Sequence, residues 1–418
     1  MFKQSDFGIL LIPLLAMLSS AFFIHPVKAI WTGGTITIYA NGTVKPDGAP
    51  IEIYAGMYIL TDHINSTSTD YAIVILKDDT IVNGQGLYWL NGSGISGILL
   101  EGRLNIAIAN MKISGFNTGI CLLGSIESTI VGNTITNTTS GIYLDYSSGV
   151  PGTGNLIRNN NIANNYYGIY LTNSLNNIIT GNIITDNDYG IYLEYSSNNS
   201  IDNRIFENII TSNGIGILFE GSLLNDIAGN IMSDNSYGVY FEYSSSNYIF
   251  QNIILDNNEG IHLFHSLSNP IIENNITGNQ NCGIWLELSN SNTIILNNIE
   301  DDWMGIGFIE SSYNYIFRNN ITDNESLGIW LTGFLYPSEH NLIKENNITS
   351  NGKGIWLCKA LDNRFFHNNF IDNTQHCYIE SSGYANVWND SYPSGGNYWS
   401  GYTGVDVYWG PKQDKPGS

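Results

Sequence analysis

The hydrophobic pattern of this chain alternates over short distances and then starts again. Residues 190–195, Gly-Ile-Tyr-Leu-Glu-Tyr, place Ile191 and Leu193 on one side of an extended segment and Tyr192 and Glu194 on the other. Close copies of this stretch recur along the chain. Eleven glycines that open such a unit run from Gly119 to Gly354 at intervals of 22 to 27 residues, and His376 takes the glycine place of a twelfth unit. Between these openings lie shorter alternating runs such as Asn-x-Ile-Ile and Asn-Asn-Ile-Thr. No 3.6-residue helical period survives inside a unit. The Leu-x-x-Leu-x-Leu spacing of leucine-rich repeats is missing as well.

A period near 22 built from short strands predicts a solenoid: an all-β, single-stranded, right-handed parallel β-helix of about twelve coils. Asn and Gly tolerate the left-handed backbone that sharp turns between strands need. Stacked Asn side chains can also bond to one another from coil to coil. Each coil rises by one strand spacing, so twelve coils span on the order of 60 Å. The expected organisation is an N-terminal export segment at 1–29, a capping region at 30–97, the coils at 98–385 and a closing segment at 386–418. Caps are needed because an open solenoid end invites edge pairing. The longest intervals insert residues near 149–154 and 334–338, and such loops often border a binding face.

Equivalent residues of a β-helix stack, so each outward position becomes a column. Two residues after the glycine, the column includes Tyr192, Tyr240, His262, Trp285, Trp330 and Trp356; four after, it includes Glu194, Glu220, Glu242 and Glu287. An aromatic column therefore stands beside an acidic one. Aromatic residues favour pleated surfaces, so the first column is also what a plain stabilising ladder would look like. The acidic column asks for more. Like charges opposite one another on neighbouring strands repel, by roughly 3 kcal/mol at ~5 Å in an effective dielectric of ~20. Glu194, Glu220 and Glu242 must splay, shift a pKa or hold a cation, and an oxygen-rich set favours Ca²⁺. Tyr192, Tyr240, Trp285, Trp330 and Trp356 are the candidate sugar-stacking residues. Glu242, Glu287 and His262 are the candidate acid–base groups if the face is catalytic.

Charge narrows the partners. The chain holds 15 Lys+Arg against 37 Asp+Glu, a formal charge of −22, which argues against nucleic acid. Lys3, the apolar run Gly8–Ile24 and Val27-Lys28-Ala29 read as a secretory signal, or as an anchor if uncleaved. Either way the rest of the chain lies outside the cytoplasm, with no further stretch long and apolar enough to span. Four cysteines lack the paired spacing of a zinc site and read as buried or isolated thiols.

The repeat units resemble those shared by pectin-active enzymes, alginate epimerases and the NosD-type family. The segments Gly34–Ile51, Asp78–Leu87 and Tyr392–Asp406 are similar to the entry and closing segments of archaeal NosD-like surface proteins. The resemblance spans essentially the whole mature chain. It implies the fold directly, and by family name it implies copper delivery; no other cofactor is implied. The Asp-Asp and Asp-Pro-His-Asp signatures of the pectin and alginate enzymes are not evident. The leading expectation is an exported, extracellular or cell-surface protein that binds a polysaccharide or other glycan along the aromatic and acidic face. The alternatives are a polysaccharide lyase, hydrolase or epimerase on that face, a non-catalytic scaffold, and a NosD-like periplasmic copper accessory.

Overall fold

The computed structural model of the chain describes residues 30–149, 154–196, 203–380, 385–391, 394–403, 408–409 and 415–416. The expected export segment lies outside them. Among the described residues there is no helix long and apolar enough to cross a membrane.

Each coil contains three strands. Tyr167–Thr172, Ile178–Thr180 and Ile183–Thr185 make one coil, and Tyr189–Glu194 begins the next. Stacked parallel, these strands form a long sheet of six-residue strands, a middle sheet and a third sheet, with 16, 15 and 16 strands among the described residues. That is somewhat more than about twelve coils, because residues 31–97 already supply strands to all three sheets. The edge strands Val44–Lys45 and Ile51–Tyr54 are antiparallel arms of hairpins, which blunt the starting edges of the long and middle sheets.

The core is one continuous stack. Ile169 and Leu171, then Ile191 and Leu193, are fully buried, as are their equivalents up the coils. Burying each such side chain is worth about 1.5–3 kcal/mol. The repeat glycines are explained by close backbone approach: a Cβ on Gly190 would lie 2.5 Å from the carbonyl oxygen of Gly216.

The turns are held by side-chain ladders. Asn252 donates from its backbone N (3.0 Å) and from Nδ2 (2.9 Å) to Oδ1 of Asn274 one coil on, while Nδ2 also reaches Ile227 O at 2.9 Å. Three such asparagine ladders climb the solenoid. A serine ladder lines the turn after the long strand, for example Ser222 N to Ser244 Oγ at 3.0 Å. Left-handed backbone falls one residue before the asparagine in all three ladders, as in Asn159 (φ 53) before Asn160, Leu224 (φ 61) before Asn225 and Asp256 (φ 55) before Asn257.

At the C-terminal end, Trp388 stacks on Phe365 (4.5 Å) and Trp399 on Phe370 (4.2 Å). Asn386 and Asn397 accept the last ladder bonds from Asn363 and Asn368. The closing segment thus covers both the last apolar side chains and the last amide donors.

Candidate functional site

The outer face of the long sheet carries the two columns in the register read from the repeat. Tyr170, Tyr192, Leu218, Tyr240, His262 and Trp285 follow one another on consecutive strands. Glu194, Glu220, Glu242, Phe264 and Glu287 do the same. Phe264 therefore separates Glu242 from Glu287 by two strand spacings, about 9.6 Å.

The side chains resolve the crowding of carboxylates locally. The Tyr170 hydroxyl donates to Glu194, and the Tyr192 hydroxyl donates to Glu220, in each case one coil on. Both phenols are pushed well above their ordinary range, by burial first and by that carboxylate bond second. Glu242 has Leu218 behind it in the same register, and Leu has no hydroxyl to offer. Glu194, Glu220 and Glu242, the candidate calcium ligands, stand on consecutive strands, with Glu194 and Glu220 each accepting from a phenol. Among the described residues no three His, Cys, Asp or Glu side chains converge to hold a metal ion.

The aromatic rings are arranged differently from a set of open platforms. Tyr170 and Tyr192 lie face to face, with centroids 4.9 Å apart and planes 7° apart. Tyr167 stacks on both. Each ring in this stack covers its neighbour's face. Tyr192 is buried, and burial raises the Tyr240 phenol to about 12. Trp330 and Trp356 stack at 5.6 Å, and Trp285 leans toward Trp330 at 5.9 Å. Gly307, between Trp285 and Trp330 in the column, permits this: a Cβ there would meet the Trp285 ring at 2.4 Å. The three tryptophans pack over buried Cys282, Met304 and Leu327, and remain half-buried themselves.

His262 is not an open surface group. It is only 9% exposed, and its Nδ1 lies 2.7 Å from Oε2 of Glu259, itself 8% exposed. Asn281 Nδ2 holds the other Glu259 oxygen at 2.9 Å. Tyr237 and Tyr240 pack edge-on against the imidazole, and Nε2 is buried without a protein partner. Sequence reasoning missed Glu259. It stands one residue before the repeat glycine, in a third outward column whose other members include Tyr167, Tyr189 and Tyr237. A carboxylate in a tyrosine column was the available signal. His265, which the sequence places beside His262, instead stacks on Tyr243 at 5.0 Å in a turn.

Comparison with known proteins assigns the class and then the family. Residues 202–299 match the right-handed β-helix region. Residues 28–214 and 268–404 match the family described as periplasmic copper-binding protein (NosD), and the chain belongs to that family. No curated protein matches it. Among solved structures, the Dettilon tailspike protein is similar at 17% identity with a TM-score of 0.52, over 64% of this chain and 60% of the tailspike chain. The periplasmic alginate epimerase AlgG is similar at 14% identity and a TM-score of 0.40, over 80% of this chain and 81% of its own. The A-module of an Azotobacter vinelandii mannuronan C-5 epimerase is similar at 14% identity and 0.38, over 86% and 90%. The tailspike likeness shows the fold alone. The chain spans three-fifths of that tailspike's length.

The family description names copper, and the described residues do not assemble a set for it. His262 commits Nδ1 to Glu259, His265 lies in a different stack, and no third ligand converges on either.

Proposed function

We propose that this chain is an exported, glycan-binding member of the NosD family that engages a polysaccharide along the outer face of its long sheet. The observation that carries this reading is a face on which aromatic rings and carboxylates recur on most coils, interrupted at Leu218, Phe264 and Gly307. Tyr170–Glu194 and Tyr192–Glu220 present polar rims, and Trp285, Trp330 and Trp356 continue the file with half-buried indoles. One strand spacing is close to the length of one pyranose unit in an extended chain, so successive coils can meet successive sugars. The covered ring faces favour recognition through rims and hydrogen bonds at the tyrosine end and through indole surface at the tryptophan end. Placement outside the cytoplasm is supported by the Lys3–Ala29 signature and by the family's description as periplasmic.

The test is co-sedimentation with a panel of neutral and acidic polysaccharides, with and without Ca²⁺, while new reducing ends are measured. Retention on at least one polymer is expected, weakened at least tenfold by Trp285→Ala, with no new ends. Release of new ends that disappears in Glu242→Gln would replace this reading with an enzymatic one. No retention on any polymer would leave a scaffold.

A further inference from the structure

The turn that leaves the long sheet carries a column of its own. Tyr146, Asn173, Tyr195, Gly221, Tyr243 and His265 each follow the last residue of a long-sheet strand. All six have left-handed backbone. The backbone N–H of each donates to the carbonyl at the strand end of the next coil, as in Tyr195 to Glu220 (2.9 Å) and Tyr243 to Phe264 (3.1 Å). Tyr146, Tyr195 and Tyr243 are 69%, 57% and 57% exposed, whereas Tyr192, on the strand just before Tyr195, is buried.

Large and small residues alternate along this column. Tyrosine stands on every second coil from Tyr146 to Tyr243, with Asn173 and Gly221 between. The Tyr195 ring lies across Gly221, where a Cβ would meet it at 2.7 Å. Tyr243 rests on the His265 imidazole, with centroids 5.0 Å and planes 11° apart, and Phe264 stands steeply inclined beside it. Neither Tyr146 nor Tyr195 stacks on another ring among the described residues. These rings are the open platforms that the mutually covered Tyr170 and Tyr192 are not.

Charge restricts what such platforms can take. Between Ser140 and Asn269 the chain has no lysine, and its two arginines, Arg158 and Arg204, lie on the middle sheet. Beside the tyrosines, the strand ends of the long sheet offer Asp145, Glu194, Glu220 and Glu242 instead. A polymer of acidic sugars would meet like charges there with no cation to offset them. A neutral chain brings hydroxyls, which donate to carboxylates in the stronger class of hydrogen bond.

We propose that this tyrosine ridge binds a neutral, extended, β-1,4-linked polysaccharide lying along the rod, with sugar rings on Tyr146, Tyr195 and Tyr243. The C–H groups on a pyranose face pack on the electron-rich face of an aromatic ring. Consecutive tyrosines are two strand spacings apart, about 9.6 Å. In a two-fold β-1,4 chain every second sugar presents the same face, so platforms on every second coil match every second sugar. Glu242, which no phenol engages among the described residues, accepts from a hydroxyl of the sugar on Tyr243. The ridge rests on the glycan reading above and adds to it the class of polymer and a line of contact at the border of the long sheet.

The experiment is calorimetric titration of the whole protein with β-1,4-linked hexamers of glucose, xylose and mannose and with a hexamer of galacturonic acid. The variants are Tyr195→Asn, Tyr195→Trp, Trp285→Ala and a triple variant combining Tyr146→Asn, Tyr195→Asn and Tyr243→Asn, each checked by thermal melting. Asparagine already occupies this turn at Asn173 with the same backbone, so the fold is expected to hold. The ridge predicts that at least one neutral hexamer binds more tightly than the acidic one. Tyr195→Asn should weaken it at least threefold and the triple variant at least thirtyfold, while Tyr195→Trp preserves it. Loss in the triple variant with Trp285→Ala unchanged keeps the ridge and removes the tryptophans from the site. Unchanged affinity in the triple variant overturns the ridge, and a fall in Trp285→Ala alone leaves the long-sheet reading standing. Affinity for the galacturonic acid hexamer equal to or above that for the neutral ones overturns the neutral ligand and the ridge with it. Retention on some polymer with no hexamer bound also overturns the ridge alone. If the wild-type protein binds neither hexamer nor polymer, both readings fall together.

Discussion

Asp302 occupies a place in an asparagine ladder, between Asn279 and Asn324, and is 1% exposed. Its Oδ1 accepts from Asn279 N (2.7 Å) and Nδ2 (2.9 Å), as an asparagine Oδ1 would. Its Oδ2 replaces the amide nitrogen that donates elsewhere in the ladder, and it has no partner as an acceptor. A protonated Oδ2 restores the missing donor. Burial accordingly raises this carboxyl from 3.8 to about 8, partly opposed by the two Asn279 bonds. The sign follows from proton counting. Between about pH 4 and pH 8 the unfolded chain has released this proton while the folded chain keeps it. Stability therefore falls with rising pH across that window, by about 1.4 kcal/mol per pH unit, and levels off above it. Asp302→Asn removes this dependence. Its melting temperature should match wild type near pH 4 and exceed it increasingly up to pH 8. Parallel curves for the two proteins would show that the carboxyl is ionised in the fold. The charges of Asp301 and Glu300 add to the upward push on Asp302, so the difference between the two proteins includes that coupling.

At the same scale, the columns were legible and the side-chain pairings were not. The repeat placed Tyr170 one coil before Glu194 and Tyr192 one coil before Glu220, because backbone register follows from counting residues. The direction of the phenol bonds depends on rotamers, which no counting supplies. Glu259 escaped because only positions after the repeat glycine were read as columns, while the position before it also faces outward.

The unit of stability above the residue is the ladder. Asparagine serves it through both ends of its amide, and the left-handed turn is borne by the residue before. Sequence reasoning joined these two tasks in one residue; in Asp256-Asn257 and Asn159-Asn160 they are divided. The reason is geometric, since the side chain that reaches the next coil must point into the solenoid from an ordinary backbone. Replacing Asn252 by Ala would leave Asn230 N without its acceptor and Ile227 O without the Asn252 donor, while Asn230 Nδ2 keeps Ile205 O and Ala228 O. Each unsatisfied buried group costs about 1–3 kcal/mol, so a loss of at least roughly 2 kcal/mol is expected in denaturant unfolding. A loss below about 1 kcal/mol would mean that water or a backbone shift replaces the ladder. The loop at 333–337 illustrates a different kind of element. Phe334, Leu335 and Tyr336 are 68%, 84% and 68% exposed, yet the Glu310 carboxylate accepts all three of their backbone N–H groups. Its length was visible as an excess over the 22-residue period; its bracing by Glu310 was not.

The whole molecule is a rod whose coils are stabilised by their neighbours, so its ends decide whether it frays. Trp388 and Trp399 cover Phe365 and Phe370 at one end. Trp399→Ala should cost about 3–5 kcal/mol in the terminal coils. Hydrogen exchange should then accelerate first around Asn368–Ile371 and spread toward the N-terminus with decreasing effect. Uniform acceleration along the rod would instead indicate a single cooperative unit with no special role for the cap.

The all-β solenoid, its near-22-residue pitch, its inward isoleucines and the register of its outward columns all follow from the chain read alone. A stacked repeat converts sequence period into spatial neighbourhood without further information. What the chain read alone left open is everything that depends on how side chains from separate coils meet. Folding turned the expected aromatic platforms into rings that cover one another, engaged Glu194 and Glu220 of the expected calcium ligands in phenol–carboxylate pairs, and buried His262 on Glu259. It also aligned Arg158, Arg204, Arg318 and Arg364 along a second face, because residues 46 or more positions apart come to share a face only when the coils stack.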